Sequence, residues 1–87
     1  MDPAEIKYLQ KHWQGRTLRK GAWMKSNLSG KVFTLITIEI DACETGWYPV
    51  RFEILEYLSG EPNEVRPADL FRWLDTNQMT ILKQVNS

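Results

Sequence analysis

The pattern of apolar positions along the chain centres on the run from Lys31 to Asp41. It is the longest β-branched run in the chain, it contains no proline or glycine, and turn-forming residues bound both ends. Because β-branched residues favour extended backbone, the run predicts a central β-strand. Its apolar phase changes midway: Phe33 and Leu35 share one face, and every second residue from Ile36 to Ile40 lies on the other. This change predicts either a sharp bend in the strand or cover on both of its faces.

The start of the chain carries the signals of a helix. Asp2 is a suitable N-cap, Pro3 is tolerated at the first helical position, and Glu5 can complete a capping box. The apolar residues that fall within one narrow arc, at ~100° per residue, are Ile6, Leu9 and Trp13. Gly15 is placed to end the helix. The pattern predicts a helix over about residues 3–14 that packs these three side chains on the rest of the domain.

Two further strands flank the central one. Residues 16–26 predict a first strand that is irregular at Gly21, and the turn at 27–30 joins it to the central strand as a hairpin. Its alternating positions place on one face Leu18, Ala22 and Met24, and on the other Arg19, Trp23 and Lys25. A third strand begins at Trp47, and the residues predicted to share its apolar face are Tyr48, Val50, Phe52 and Ile54. Pro49 lacks an amide donor, which indicates that this part lies at a sheet edge.

The remaining elements are shorter. Residues 64–66 predict a brief fourth strand, and residues 66–74 predict a short helical turn that starts near Pro67. Leu70, Phe71 and Leu74 form one apolar face of that turn. The run from Met79 to Val85 predicts a last strand.

This order of elements resembles that of SH3-like small barrels with an N-terminal helical extension, and the Sm-like variant is the alternative. The segments that match are Gly21-Ala22-Trp23, Gly30-Lys31-Val32, Val50-Arg51-Phe52 and Leu70-Phe71. The resemblance implies an α+β, mainly β fold: a helix packed on a five-stranded antiparallel barrel, with a short helical turn before the last strand. It implies one domain over residues 1–87, with the helix at about 3–14 and the barrel at about 16–86.

Two further features qualify this resemblance. The chain departs from peptide-binding SH3 modules in its long, charged hairpin from Glu53 to Glu64 and in lacking their acidic aromatic loop pattern, which disfavours binding of proline-rich peptides. The sequence as a whole also resembles orphan proteins of phages and integron gene cassettes, which implies a mobile genetic element as its source.

Composition limits the class of protein. A hydrophobic content of 43% with 25% charged residues is typical of a folded globular chain and argues against disorder. No apolar run approaches the ~20 residues of a membrane span, and the acidic start is unlike a signal peptide. A single cysteine, Cys43, excludes an internal disulfide. We therefore expect a cytoplasmic protein with no membrane association.

Charge is segregated along the chain although the formal net charge is zero. The segment from Ile6 to Ile38 contains no Asp or Glu but has seven Lys and Arg, whereas nine carboxylates and four basic residues follow from Glu39 onward. This pattern favours two oppositely charged surfaces on one domain, or self-association between them. A nucleic-acid-binding basic patch is the alternative interpretation.

Catalytic chemistry is hard to assemble from this sequence. A cysteine nucleophile needs a nearby base, and the only imidazole, His12, lies on the predicted helix some thirty residues from Cys43. Asp41, Cys43 and Glu44 lie close together but match no known metal-ligand spacing. The sequence predicts a non-enzymatic protein without a metal or other cofactor, and an enzyme of unrecognised type is the third interpretation.

The candidate binding residues form two sets. For contact with a protein partner or a second copy, aromatic and arginine residues are the usual anchors, and the candidates are Trp47, Pro49, Arg51 and Trp73. For nucleic acid, basic residues interleaved with an aromatic are expected, and the candidates are Arg16, Arg19, Lys20, Trp23, Lys25 and Lys31. Because phosphate binding favours a basic excess, the zero net charge makes protein contact the first prediction.

Overall fold

The computed structural model describes residues 2–16 and 18–83. Its elements in chain order are α1 (Pro3–Arg16), β1 (Trp23–Ser26), β2 (Val32–Cys43), β3 (Gly46–Glu56), β4 (Pro62–Val65), α2 (Pro67–Asp75) and β5 (Met79–Lys83). All neighbouring strands are antiparallel, and they form one five-stranded sheet in the order β4-β3-β2-β1-β5. The prediction of an α+β, mainly β fold with the longest β-branched run at the centre of the sheet is confirmed.

The change of apolar phase in β2 is produced by a β-bulge. Leu35 pairs with Ile54 and Thr37 pairs with Glu53, so Ile36 has no partner on β3. The extra residue moves the following side chains by one position, and Ile38 can therefore continue the packing that Leu35 begins. The sequence predicted either a bend or cover on both faces at this point, and the register shift accounts for the change of phase.

A second irregularity corrects the prediction for Val50. Glu39 pairs with Arg51 and Ile40 with Pro49, which leaves Val50 as the extra residue of β3. Val50 is 36% exposed and does not share the buried face of Phe52, because the strand is interrupted by this bulge. β4 pairs only with the part of β3 beyond Arg51, so Pro49 lies, as predicted, where β3 has one strand neighbour among the described residues.

The first strand is shorter than predicted. β1 starts at Trp23 and not near residue 16, because Gly21 adopts a left-handed conformation (φ +93°) within a turn. The segment still runs beside β2, since the Gly21 amide donates to the Leu35 carbonyl at 2.7 Å and the Leu35 amide donates to the Ala22 carbonyl at 2.9 Å. The predicted buried face is confirmed: Leu18, Ala22 and Met24 are at most 2% exposed.

Both helices pack on the same face of the sheet. α1 buries Leu9 and places the Trp13 ring 6.1 Å from that of Phe52, as the helical pattern predicted, although the helix continues through Gly15 to Arg16. α2 is a nine-residue α-helix and not a single turn, because it buries Leu70, Phe71 and Leu74 against the core. The Phe71 ring meets Phe52 edge to face at 5.9 Å.

The sheet is not closed. Within the described residues β4 and β5 lie at its two edges and do not pair with each other, so the predicted barrel is not observed. Residues 84–87 of the predicted last strand lie outside the described part of the chain. Neither described helix is long and apolar enough to cross a membrane.

Candidate functional site: the outer face of the sheet

The two faces of the sheet differ because both helices cover one of them. We call the face that bears Phe52, α1 and α2 the inner face, and the opposite one the outer face. Side chains alternate across a strand, so residues next to buried core positions point outward. In β1, Met24 is fully buried and its neighbours Trp23 and Lys25 therefore belong to the outer face.

Apolar side chains occupy neighbouring positions on the outer face. Trp23 pairs with Thr34, and Thr34 pairs with Leu55, so these three residues form one row over three strands. Trp23 also meets Tyr57 edge to face, with ring centroids 5.9 Å apart. Tyr57 is 61% exposed and Trp23 and Leu55 are half-buried. The apolar band consists of Trp23, Val32, Ile36, Leu55 and Tyr57.

A cluster of carboxylates borders this band on one side. The Arg51 guanidinium lies 2.6 Å from a Glu39 oxygen, 3.4 Å from Glu53 and 4.0 Å from Glu64. The cluster is a consequence of strand register, because Glu39 pairs with Arg51 and Glu53 pairs with Glu64 across adjacent strands. Three negative charges surround one positive charge, so the carboxylate cluster (Glu39, Glu53 and Glu64 around Arg51) is acidic.

The ion pair between Glu39 and Arg51 shifts the pKa of both groups. The hydrogen bond from Arg51 lowers the pKa of Glu39, and that of Arg51 is raised by the same bond and by the three nearby carboxylates. Because the folded pKa of Glu39 is depressed, its stabilising contribution is present at neutral pH and is lost as the pH falls through that lowered pKa. Arg51 stays charged, and the cluster stays net acidic at neutral pH.

The residues predicted for nucleic-acid binding are only partly brought together. Trp23 and Lys25 share the outer face, whereas Arg19 and Lys20 are exposed in the loop that leads into β1. Lys31 is 3.6 Å from a Glu56 oxygen and is therefore partly neutralised. The side chain of Arg16 lies outside the described part of the structure. The carboxylate cluster occupies the same face as Trp23 and Lys25, which disfavours a polyanion there.

The four residues predicted for protein contact are spread over the molecule. Trp47 is 60% exposed beside the β2–β3 turn, as predicted, and Arg51 lies in the carboxylate cluster. Pro49 is fully buried, which removes it from any contact surface in this structure. Trp73 is half-buried and packs against the core. The sequence pattern missed Leu55 and Tyr57, although their position opposite Trp23 follows once the strand register is known.

The Gln10 side chain of α1 forms hydrogen bonds to the turn between β2 and β3. The Gln10 side-chain amide donates to the Thr45 hydroxyl at 3.0 Å, to the Gly46 carbonyl at 3.2 Å and to the Cys43 sulfur at 3.5 Å. Cys43 is exposed and lies 3.1 Å from the Thr45 hydroxyl. Hydrogen bonds from Thr45, first its hydroxyl and then its amide, and from Gln10 lower the pKa of the Cys43 thiol.

Replacing Thr45 by valine is expected to raise the pKa of Cys43 toward its ordinary value, because the hydroxyl that stabilises the thiolate is removed. Alkylation by iodoacetamide, followed against pH, should therefore show its inflection at a higher pH, with slower reaction near neutrality. Thr45→Ser keeps the hydroxyl and should behave like the unmodified protein. Identical pH profiles for the valine variant and the unmodified protein would contradict this effect.

Neither a metal site nor a cysteine–histidine pair is found in the described residues. No group of three or more His, Cys, Asp or Glu side chains there is arranged to hold a metal ion. The described hydrogen-bond partners of Cys43 are Gln10, Thr45 and Gly46, whereas His12 lies 3.6 Å from an Asp75 oxygen and stacks on Phe71. The base that cysteine catalysis would require is thus placed between the two helices.

Comparison of the chain with protein-family models, with curated proteins and with solved structures finds no significant match. The resemblances to SH3-like and Sm-like barrels and to proteins of mobile genetic elements therefore stay predictions. Function has to be inferred from the outer face itself.

Proposed function

We propose that this protein is a small, non-enzymatic binding module that acts through protein–protein contact, and that the outer face is where it contacts a second copy of itself. The observation that supports this proposal is the uncovered apolar band, which lies between the carboxylate cluster on one side and Lys25 on the other. The proposal extends the prediction of self-association between oppositely charged surfaces to named residues.

The apolar band supplies the driving force. Contiguous exposed apolar surface on a small domain is typical of an interaction site, and tryptophan and tyrosine are common interface anchors. Sheets pack face to face at a spacing of about 10 Å with their strands nearly aligned, and half-buried residues such as Trp23 and Leu55 suit that geometry. Burying the band against an identical band removes the apolar surface of both copies from water.

The distribution of charge on the outer face favours a second copy of the chain as the binding partner. Lys25 pairs with Val32 on one side of the row formed by Trp23, Thr34 and Leu55, and Glu53 lies on the other side of that row. A twofold axis that runs across the strands lays each strand over its own copy in the reverse direction, so the Lys25 end of one band lies over the end of the other band that the carboxylate cluster borders. A closed dimer with this symmetry is self-complementary in charge as well as in apolar surface.

A charge-swap experiment tests this arrangement. Lys25→Glu and Glu53→Lys should each weaken self-association by at least about tenfold, because each places like charges opposite each other. An equimolar mixture of the two variants should recover association, since the altered charges are then complementary. Sedimentation equilibrium of each variant and of the mixture measures the effect, and added salt should weaken association of the unmodified protein.

Two exposed aromatic positions provide the controls. Tyr57→Lys should reduce self-association because Tyr57 belongs to the apolar band, whereas Trp47→Ala should leave it unchanged because Trp47 lies at the β2–β3 turn. A monomer at every concentration up to ~1 mM would overturn the proposal, as would a loss of association caused by Trp47→Ala alone.

Nucleic acid is the second candidate partner, favoured by one observation. The exposed Tyr57 meets the half-buried Trp23 beside Lys25, and bases stack on such aromatic side chains with ~1–3 kcal/mol each. The carboxylate cluster on the same face weighs against it. A salt titration of single-stranded DNA and RNA binding separates the two proposals: this second candidate fails if no binding occurs at ~50 mM salt.

We further propose that the fold is an opened relative of SH3-like small barrels. The strand order β4-β3-β2-β1-β5 and the helix directly before the last strand support this relationship. A cytoplasmic location and a mobile genetic element as the source are the remaining parts of the proposal, and they are supported by the sequence alone.

A further inference from the structure

A cleft of about 450 Å³ lies on the inner face, at the corner where β4 stands apart from the start of β5. Its apolar wall is formed by Phe33, Ile54, Val65, Trp73 and Met79. This volume falls within the range of about 300–1,000 Å³ that is typical of ligand-binding clefts. The cleft opens on the side of the sheet opposite the outer face, and Glu64 is shared by the two sites because it also belongs to the carboxylate cluster.

One side of the cleft is a free strand edge. β4 pairs with β3 alone within the described chain, and Asn63, Glu64 and Val65 of β4 line the cleft. An edge strand has main-chain N–H and C=O groups that a second extended chain can pair with. Strand addition of this kind derives affinity from the main chain and specificity from pockets for alternate side chains.

Polar groups at the cleft have no partner in the described chain. The carboxamides of Asn63 and Gln78 and the indole N–H of Trp73 make no hydrogen bond to any other described residue. A carboxamide both donates and accepts, which matches the alternating N–H and C=O groups of an extended peptide. These groups flank the apolar wall, so a main chain bonded to them would direct a side chain into the cleft.

The charge at the cleft indicates which residues should flank the inserted side chain in the peptide. Among the described residues that line the cleft, Glu64 alone is ionisable, and its side chain is 64% exposed with a 4.0 Å contact to Arg51. Glu61, which is also exposed, precedes β4 on the same hairpin. A partner with basic residues near its apolar anchor therefore complements this edge.

We propose that the cleft binds an extended peptide segment that adds to the free edge of β4, inserts one large apolar side chain between Val65, Trp73 and Met79, and carries basic residues beside it. The peptide belongs to another protein, and its apolar anchor contacts residues that are not part of the outer face.

The test is an NMR titration of ¹⁵N-labelled protein with acetylated, amidated pentapeptides of sequence Arg-Val-Xaa-Val-Arg, where Xaa is Leu, Met, Phe or Trp. Saturable shifts are expected for the amides of Asn63 to Val65, for Gln78 and Met79, and for the Trp73 indole, with a Kd of roughly 0.1–1 mM. The indole signal is assigned from Trp73→Phe. The acidic counterpart Glu-Val-Xaa-Val-Glu and the polar one Arg-Val-Asp-Val-Arg should bind at least about fivefold more weakly.

Two variants locate the site. The double variant Asn63→Ala/Gln78→Ala changes exposed side chains away from the outer face and should weaken peptide binding several-fold without altering self-association. Glu64→Lys should weaken binding of the basic peptides, whereas Glu44→Lys, at the exposed β2–β3 turn, should leave it unchanged. The proposal is overturned if none of the four peptides shifts these signals at ~1 mM, if acidic and basic peptides bind equally, or if the shifts map to the outer face.

Discussion

Phe52→Ala is expected to lower the free energy of unfolding by about 3–5 kcal/mol. Phe52 is fully buried, and its ring is the one that both helices contact, through Trp13 at 6.1 Å and Phe71 at 5.9 Å. Removing it leaves a cavity where α1, α2 and β3 meet, and the surrounding side chains belong to three elements that cannot all move inward. A chain of 87 residues has a total stability of roughly 4–13 kcal/mol, so the loss is a large share of it.

Urea denaturation followed by circular dichroism measures this effect, and Val50→Ala provides the control. Val50 lies two positions earlier in the same strand, but the bulge leaves it 36% exposed, so its truncation should cost less than about 1 kcal/mol. Equal losses for the two variants would mean that Phe52 is not the centre of the core.

Leu9→Ala is expected to destabilise the protein by about 2–4 kcal/mol. Leu9 is 1% exposed and is the most deeply buried residue of α1, which contacts β3 and α2. A helix of 14 residues is marginal by itself in water, so its structure depends on these contacts. The variant should lose helical circular dichroism in parallel with its stability, because a detached α1 does not stay helical.

Lys11→Ala is the matched control on the same helix. Lys11 is exposed and alanine has the higher helix propensity, so the unfolding free energy should change by less than about 0.5 kcal/mol. A Leu9→Ala variant as stable as the control would show that α1 is not held by its apolar side. The amides of residues 4–13 should then exchange with solvent at the rate of a free peptide in the unmodified protein too.

The sequence was most informative where one residue type determines the local backbone. The phase change at Leu35 and Ile36 marked the position of an irregularity in β2, and the alternation around Gly21 predicted the buried face of the segment that leads into β1. The helix start at Asp2 is also confirmed: the Asp2 carboxylate accepts a hydrogen bond from the Ala4 amide at 3.0 Å. Each of these features depends on residues close together in the chain.

The errors arose where distant segments decide the outcome. α2 covers nearly the predicted range, but it is a full α-helix and not a single turn, because its apolar face packs against α1 and the sheet. Val50 fits the alternation of β3, and only its pairing with β2 reveals the second bulge. α2 lies between β4 and β5 in the chain, and whether the two strands pair depends on how it packs against the sheet. No local sequence pattern encodes that packing.

The candidate sites follow the same division. Trp23 and Lys25 on one face are predictable from alternation alone, and Trp47 was correctly placed away from the core. The contact of Trp23 with Tyr57 joins residues 34 positions apart, and the cleft joins β4 to the start of β5. Predicting such surfaces requires the strand register and the strand order, and local sequence patterns do not determine either of them.

The unpaired Ile36 has a consequence for how this chain tolerates changes in length. Deleting Ile36 itself would remove the bulge and leave the following residues in register, so Ile38 would still face the helices and Glu39 the outer face. An additional residue in this part of β2 would reverse that alternation, whereas the β1–β2 and β3–β4 turns end in glycines with open space around them. Variants of this protein that gain residues should therefore gain them at those turns, while a variant that loses a residue between Val32 and Glu39 should lose the bulge.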